Sequence, residues 1–181
     1  MIHWWWQLAE NSIRGSVVYG YLKFIKRTWG IEGLKECVEA TGVDPDKIKG
    51  GQWYSADHTR KILQWVSDTK GQDYVRKSGN YIVKDLGVLS YIVRFTNIKT
   101  LLKKAPDSYS DGFTYGSIKV DIGENSAVIK MKDTAVDDYA CPAWLGALSG
   151  MLEMTRTKGT VEETQCQRKG APHCEFLMEW E

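Results

Sequence analysis

Three of the four cysteines lie near the C-terminal end, at Cys141, Cys166 and Cys174, and seven residues (Gln167 to His173) separate the last two. Thiols converging in a reducing compartment make a thiolate-rich metal site, and zinc is the readily available metal that prefers tetrahedral sulfur. The same residues also fit three small buried apolar thiols, or a Cys166–Cys174 disulfide. A fourth donor has two candidates, Glu163 upstream of Cys166 and His173 beside Cys174. Strict strand alternation puts Glu163 and Cys166 on opposite faces, so Glu163 joins only if its strand bends or bulges before the cysteine. His173 has the opposite parity from Cys174 and points away in a regular strand. If the segments around Cys166 and Cys174 pair as a hairpin, both sulfurs sit at its neck. Cys141 then reaches them from the start of a helix, on the face of Leu145 and Leu148, where the helix N-terminus favours thiolate over thiol.

The elements that must position these groups follow from a change of period. Up to about Lys104 the apolar residues recur at helical spacing: Val17/Val18, Tyr21/Leu22 and Ile25 on one helix stopped by Gly30, then Leu34 and Cys37/Val38 on another ended by Gly42. Ser55 can cap a helix carrying Ile62, Leu63 and Val66, which Gly71 ends, and Val75, Ser78 and Ile82 continue the pattern. Val88 to Leu102 is the most apolar segment of this half and a candidate central helix. Pro106-Asp107-Ser108-Tyr109-Ser110-Asp111-Gly112 reads as a connector, which divides the chain into a helical half, 1–105, and a second module, 106–181. There, Ile118, Val120 and Ile122 alternate with Lys119 and Asp121, and Ala127, Ile129 and Met131 return. A helix from about Cys141, with Pro142 in its first turn, precedes two strands, about Thr160–Cys166 and Cys174–Trp180. The fold expected is α+β: an N-terminal helical half packed on a C-terminal antiparallel sheet with one long helix.

Composition excludes some functions. With 24 Lys+Arg against 23 Asp+Glu, the net charge of +1 gives no field for coating nucleic acid. No apolar run approaches the roughly 20 residues of a membrane span. The opening Met1 to Gln7 lacks the pattern of a signal peptide, so a cytoplasmic protein is expected. No glycine-rich phosphate loop and no Ser–His–Asp arrangement can be read, which favours a binding module over an enzyme. His58 reads as a solvated surface histidine and Cys37 as core. Asp137-Asp138 read as solvated or capping carboxylates. Eight Trp and nine Tyr are the surplus. Tyr91, Phe95, Phe113, Tyr115 and Trp144 either fill the core or line a hydrophobic pocket between the Val88–Leu102 helix and the sheet. Three adjacent tryptophans, Trp4, Trp5 and Trp6, cannot all face one core. A homodimer through the helical half, with these at or beside the contact, would cover them.

The run Glu163-Thr-Gln-Cys166-Gln-Arg-Lys-Gly170-Ala-Pro-His-Cys174-Glu-Phe176, preceded by Cys141 and a helix containing Gly146 and Gly150, resembles the 4-vinyl-reductase domain family over about residues 110–180. Arg14-Gly15-Ser16 through Trp53-Tyr54 to Leu86-Gly87 is similar to the helical half of bacterial proteins in the haem-NO-binding-like superfamily. Such domains resemble TRAPP vesicle-tethering subunits, which are α+β, dimeric and carry a hydrophobic pocket. The resemblance implies structural zinc at Cys141, Glu163, Cys166 and Cys174, ranking Glu163 above His173, beside a pocket for an aromatic ligand. It implies a ligand-binding sensor that signals through a separate partner protein. Alternatives within it are a reductase or accessory factor for a tetrapyrrole vinyl group, or a haem-binding protein. Ala171 departs from the pattern, since many members carry an acidic residue there.

Overall fold

The computed structural model describes residues 11–85, 96–134 and 137–181. Strand β1 (Ser12–Arg14) leads into helix α1 (Gly15–Thr41), followed by β2 (Trp53–Ser55), α2 (Asp57–Lys70), α3 (Gln72–Lys84) and α4 (Ile98–Gly112). Strands β3 (Ser117–Ile122) and β4 (Ser126–Lys132), helix α5 (Ala140–Met154), and strands β5 (Gly159–Gln165) and β6 (Cys174–Trp180) complete the order. This is the expected α+β division, helices first and sheet after. Among the described residues, no helix is long and apolar enough to cross a membrane.

Glycine sets the joints of the helical half. Gly30 holds φ 73° and ψ −166° inside α1, so the helix bends there instead of running straight, and Gly42 closes it at φ 71° with its N–H on Val38 O. Val18, Leu22 and Ile25 on one face of α1 meet Ile62, Leu63 and Val66 of α2 and Val75 of α3 in one apolar cluster. Two three-residue strands, β1 and β2, pair antiparallel and have no period of their own to read.

The proline-containing connector expected at 106–112 is helix instead. α4 starts at Asn97, whose Oδ1 accepts from Thr100 N at 2.9 Å, and runs through Pro106 to Gly112. Proline removes one intrahelical hydrogen bond. Burial of Ile98, Leu102 and Tyr109 along one face offsets that loss, so tertiary packing overrides the local turn signal. Of the helix expected at 88–102, residues 88–95 lie outside the described residues, Thr96 and Asn97 are not helical, and the helix begins at Ile98, so the continuous helix expected there is broken at Asn97.

The sheet has the order β3-β4-β6-β5, all antiparallel, with Val120 opposite Ile129 and Ile129 opposite Phe176. Ile129, Met131, Phe176 and Met178 face inward and are fully buried, each contributing on the order of 1.5–3 kcal/mol relative to exposure. Helix α5 covers this face with Cys141, Leu148 and Leu152. Its other side meets α3 at backbone distance. A Cβ on Gly79 would collide with the Ala143 carbonyl oxygen, and one on Gly146 with that of Arg76. Gly146→Ala should therefore destabilise the fold by about 1–3 kcal/mol, the range for overpacking. A urea titration checks this against Gly51→Ala, where nothing lies within 4 Å of the added carbon and the midpoint should stay unchanged.

Candidate metal centre

Cys141 occupies the first turn of α5, whose N-terminus is capped by Asp137: one carboxylate oxygen accepts from the N–H groups of Tyr139 and Ala140, each at 2.9 Å. Cys166 and Cys174 flank the loop between β5 and β6. The Cys141 sulfur lies 3.3 Å from that of Cys174 and 3.8 Å from that of Cys166. One donor atom from each of Cys141, Glu163, Cys166 and Cys174 falls within 4.8 Å of all the others. All four cysteines are free thiols, so the disulfide alternative is not the arrangement found. Sulfurs bound tetrahedrally to a zinc at about 2.3 Å stand about 3.8 Å apart. The Cys141–Cys166 spacing of 3.8 Å matches that, and the Cys141–Cys174 spacing of 3.3 Å is shorter.

Glu163 reaches the cluster by the route its parity demands. The β5–β6 register shifts between Glu163 and Gln165, a bulge with Glu163 opposite Phe176 and Gln165 opposite Glu175. The extra residue, Thr164, lets Glu163 and Cys166 face the same side. One Glu163 carboxylate oxygen is buried with no hydrogen-bond partner, as an acceptor suited to a cation would be. His173 is not in the group of four; its Nε2 lies 3.6 Å from a Glu175 carboxylate oxygen.

Among the protein groups alone, burial pushes the Cys141 thiol far above its ordinary range, and Glu163 and Cys174 push it further. Burial raises Cys174 too, opposed by the N–H of Gln167, which donates to its sulfur at 3.3 Å. The helix N-terminus is expected to favour thiolate at Cys141, but desolvation outweighs it.

The remaining candidates separate. Cys37 is fully buried core, its thiol pushed up to about 11 by desolvation. His58 sits on the first turn of α2, its Nδ1 3.1 Å from Ser55 O and its ring edge-on to Tyr54, so it is half-buried rather than solvated. Phe113, Tyr115 and Trp144 do come together, around a residue that the spacing of the apolar positions did not single out. Tyr109 stacks on Phe113 at 4.5 Å, Trp144 tilts against both at 5.6 and 5.5 Å, and Tyr115 meets Phe113 edge-on. Tyr109 falls inside the expected connector; its spacing of four from Phe113 is the signal that could have found it. Tyr91, Phe95 and Trp4–Trp6 lie outside the described residues. An open groove of about 410 Å³ lies elsewhere, on α1 around Leu22, Ile31, Leu34 and Val38.

No protein-family model and no curated protein matches this chain. Solved structures do. An H-NOX protein from S. oneidensis in the Fe(II)NO ligation state aligns with a TM-score of 0.75 over 93% of this chain and 99% of its own, at 17% identity. An oxygen-binding H-NOX domain related to soluble guanylate cyclases, solved as its oxygen complex, aligns at 0.74 over 93% and 95%, with 15% identity. A structure from work on haem distortion in the H-NOX family gives 0.75 over 93% and 95%, with 14% identity. At these identities the likeness is one of fold: the chain has the fold of H-NOX domains. That agrees with the fold which the resemblance implied, while the 4-vinyl-reductase resemblance rests on the residue pattern alone.

Cys141 and Cys174, their thiols raised by burial, must release their protons when a metal binds. Addition of a divalent cation to unbuffered metal-free protein should acidify the solution, and affinity should fall steeply as pH is lowered. Uptake without acidification would mean that the thiols were already ionised.

Proposed function

We propose that this chain is a small-molecule sensor domain built on the H-NOX fold, with a structural metal ion at Cys141, Glu163, Cys166 and Cys174. The fold likeness over 93% of the chain carries the sensor reading. The structural neighbours are haem, NO and oxygen proteins, so they support a haem ligand more directly than any other, and none of them speaks for zinc. Haem needs an axial donor facing an apolar slot. The described residues do not complete such a site. His58 is turned to Ser55 O beside Tyr54; His173 Nε2 is buried without a hydrogen-bond partner, 3.6 Å from a Glu175 carboxylate oxygen. The Tyr109 hydroxyl donates to Tyr115 O at 2.7 Å, and the three thiols face one another. Haem is the alternative ligand, supported by the structural neighbours.

The donor set supports a small tetrahedral ion. Three sulfurs and one carboxylate suit zinc, and with all four positions supplied by protein the ion has a structural role. It would neutralise the buried cluster and hold the β5–β6 neck against the start of α5. Trp144 lies one helical turn beyond Cys141, so the ion and the aromatic cluster share the same stretch of α5. A flat apolar ligand against Phe113, Tyr115 and Trp144 would act on that stretch. A homodimer through the helical half belongs to the same proposal; the tryptophans that motivate it, Trp4–Trp6, lie outside the described residues.

One preparation tests both readings. Metal analysis of undialysed protein should give about one zinc per chain, reduced to background in Cys174→Ser. Titration with hemin should produce a saturable Soret band if haem is the ligand; an unsaturable, detergent-sensitive spectrum removes haem. Well under one equivalent of zinc removes the metal.

A further inference from the structure

We infer that Gln167 is a positioning residue for the four-donor cluster, tying the loop that carries Cys166 and Cys174 to the loop that delivers Cys141. The inference rests on the metal reading proposed above. Cys141 follows the connection that leaves β4 at Asp133, and Cys166 and Cys174 flank the loop between β5 and β6. Gln167 touches the cluster and the opposite loop at once. Its backbone N–H donates to the Cys174 sulfur at 3.3 Å. Its side-chain amide closes a reciprocal pair with Asp133, Nε2 donating to the carboxylate at 2.8 Å and Oε1 accepting from the Asp133 N–H at 3.0 Å.

Asp133 holds φ 56°, the left-handed region that short polar residues tolerate. That turn carries the chain out of β4, two residues past Met131, which lies opposite Cys174 in the sheet. A primary amide matches the N–H and carboxylate of Asp133 with both of its groups, so the clamp fixes orientation as well as distance. A second tie, Arg168 Nε to Asp138 at 2.5 Å, joins the same loops. Both of its side chains are well exposed, and exposed ion pairs hold little. By clamping Asp133 through both groups of its side-chain amide, Gln167 holds the turn out of β4 against the loop that Cys166 and Cys174 flank, the work of the partners that orient metal ligands.

The full chain, stripped of metal, is titrated with Co(II) and then with Zn(II) against a chromophoric chelator. Gln167→Ala should bind both ions about 10–100-fold more weakly, as loss of such partners does. Its sulfur-to-cobalt charge-transfer band at saturation should be displaced from that of the wild type. Arg168→Ala should match the wild type. Asp133→Asn keeps the backbone N–H, an acceptor for Nε2 and tolerance of the left-handed turn, and should rescue what Asp133→Ala loses. Gln167→Ala with an affinity within twofold of wild type and the same band overturns the inference and leaves the metal site standing. A wild-type chain that takes up neither ion overturns the metal reading and this inference with it. If Gln167→Ala does not fold, Gln167→Glu decides: it sets a carboxylate against that of Asp133, so weaker binding supports the clamp and unchanged binding overturns it.

Discussion

Helix α5 has to touch two partners at once, and that constraint organises the molecule. Toward α3 it presents Gly146, where backbone meets backbone; toward the sheet it presents Cys141, Leu148 and Leu152. A helix packed on both sides has no room for a polar face, which is why its sequence is almost entirely apolar or small. The two apolar clusters, one among α1–α3 and one between α5 and the sheet, are joined through it. Ala143 belongs to the first and Cys141, two residues earlier, to the second.

The cysteine cluster is the exception to this apolar packing. Among the described residues, three thiols and a carboxylate share one space. Desolvation raises the Cys141 and Cys174 thiols, and one buried Glu163 oxygen has no hydrogen-bond partner. A buried acceptor without a partner is destabilising. A dication would reverse both effects together, since the groups that are unfavourable without it are its ligands.

What the sequence disclosed and what it hid divide along physical lines. Strands β4 and β6 are legible because each has one buried face and so alternates; β3 alternates between half-buried and exposed positions, and β5 has no buried residue. Parity alone set the condition for Glu163, and the bulge between Glu163 and Gln165 meets it. α4 was misread around Pro106 because proline, aspartate and serine favour turns locally, while the burial of Tyr109 that keeps the helix going is a long-range property. β1 and β2 are too short to show a period. The α3–α5 contact was invisible for a related reason. Nothing in the local sequence around Gly79 and Gly146 shows the neighbouring backbone that requires them. Of the aromatic residues expected to meet, Phe113, Tyr115 and Trp144 do so, while Tyr91 and Phe95 lie outside the described residues.

The bulge has a second effect, on what the sheet can do with its margins. In the order β3-β4-β6-β5 the strand carrying Glu163 is an edge, with a row of backbone groups free to pair with another chain. A register shift partway along breaks the regular spacing such pairing needs, and the exposed Glu162 adds charge at the same place. The irregularity that turns Glu163 toward the thiols thus also blunts the outer margin against sheet-to-sheet growth. Straightening β5 would remove a donor from the cluster and open a sticky edge in the same step.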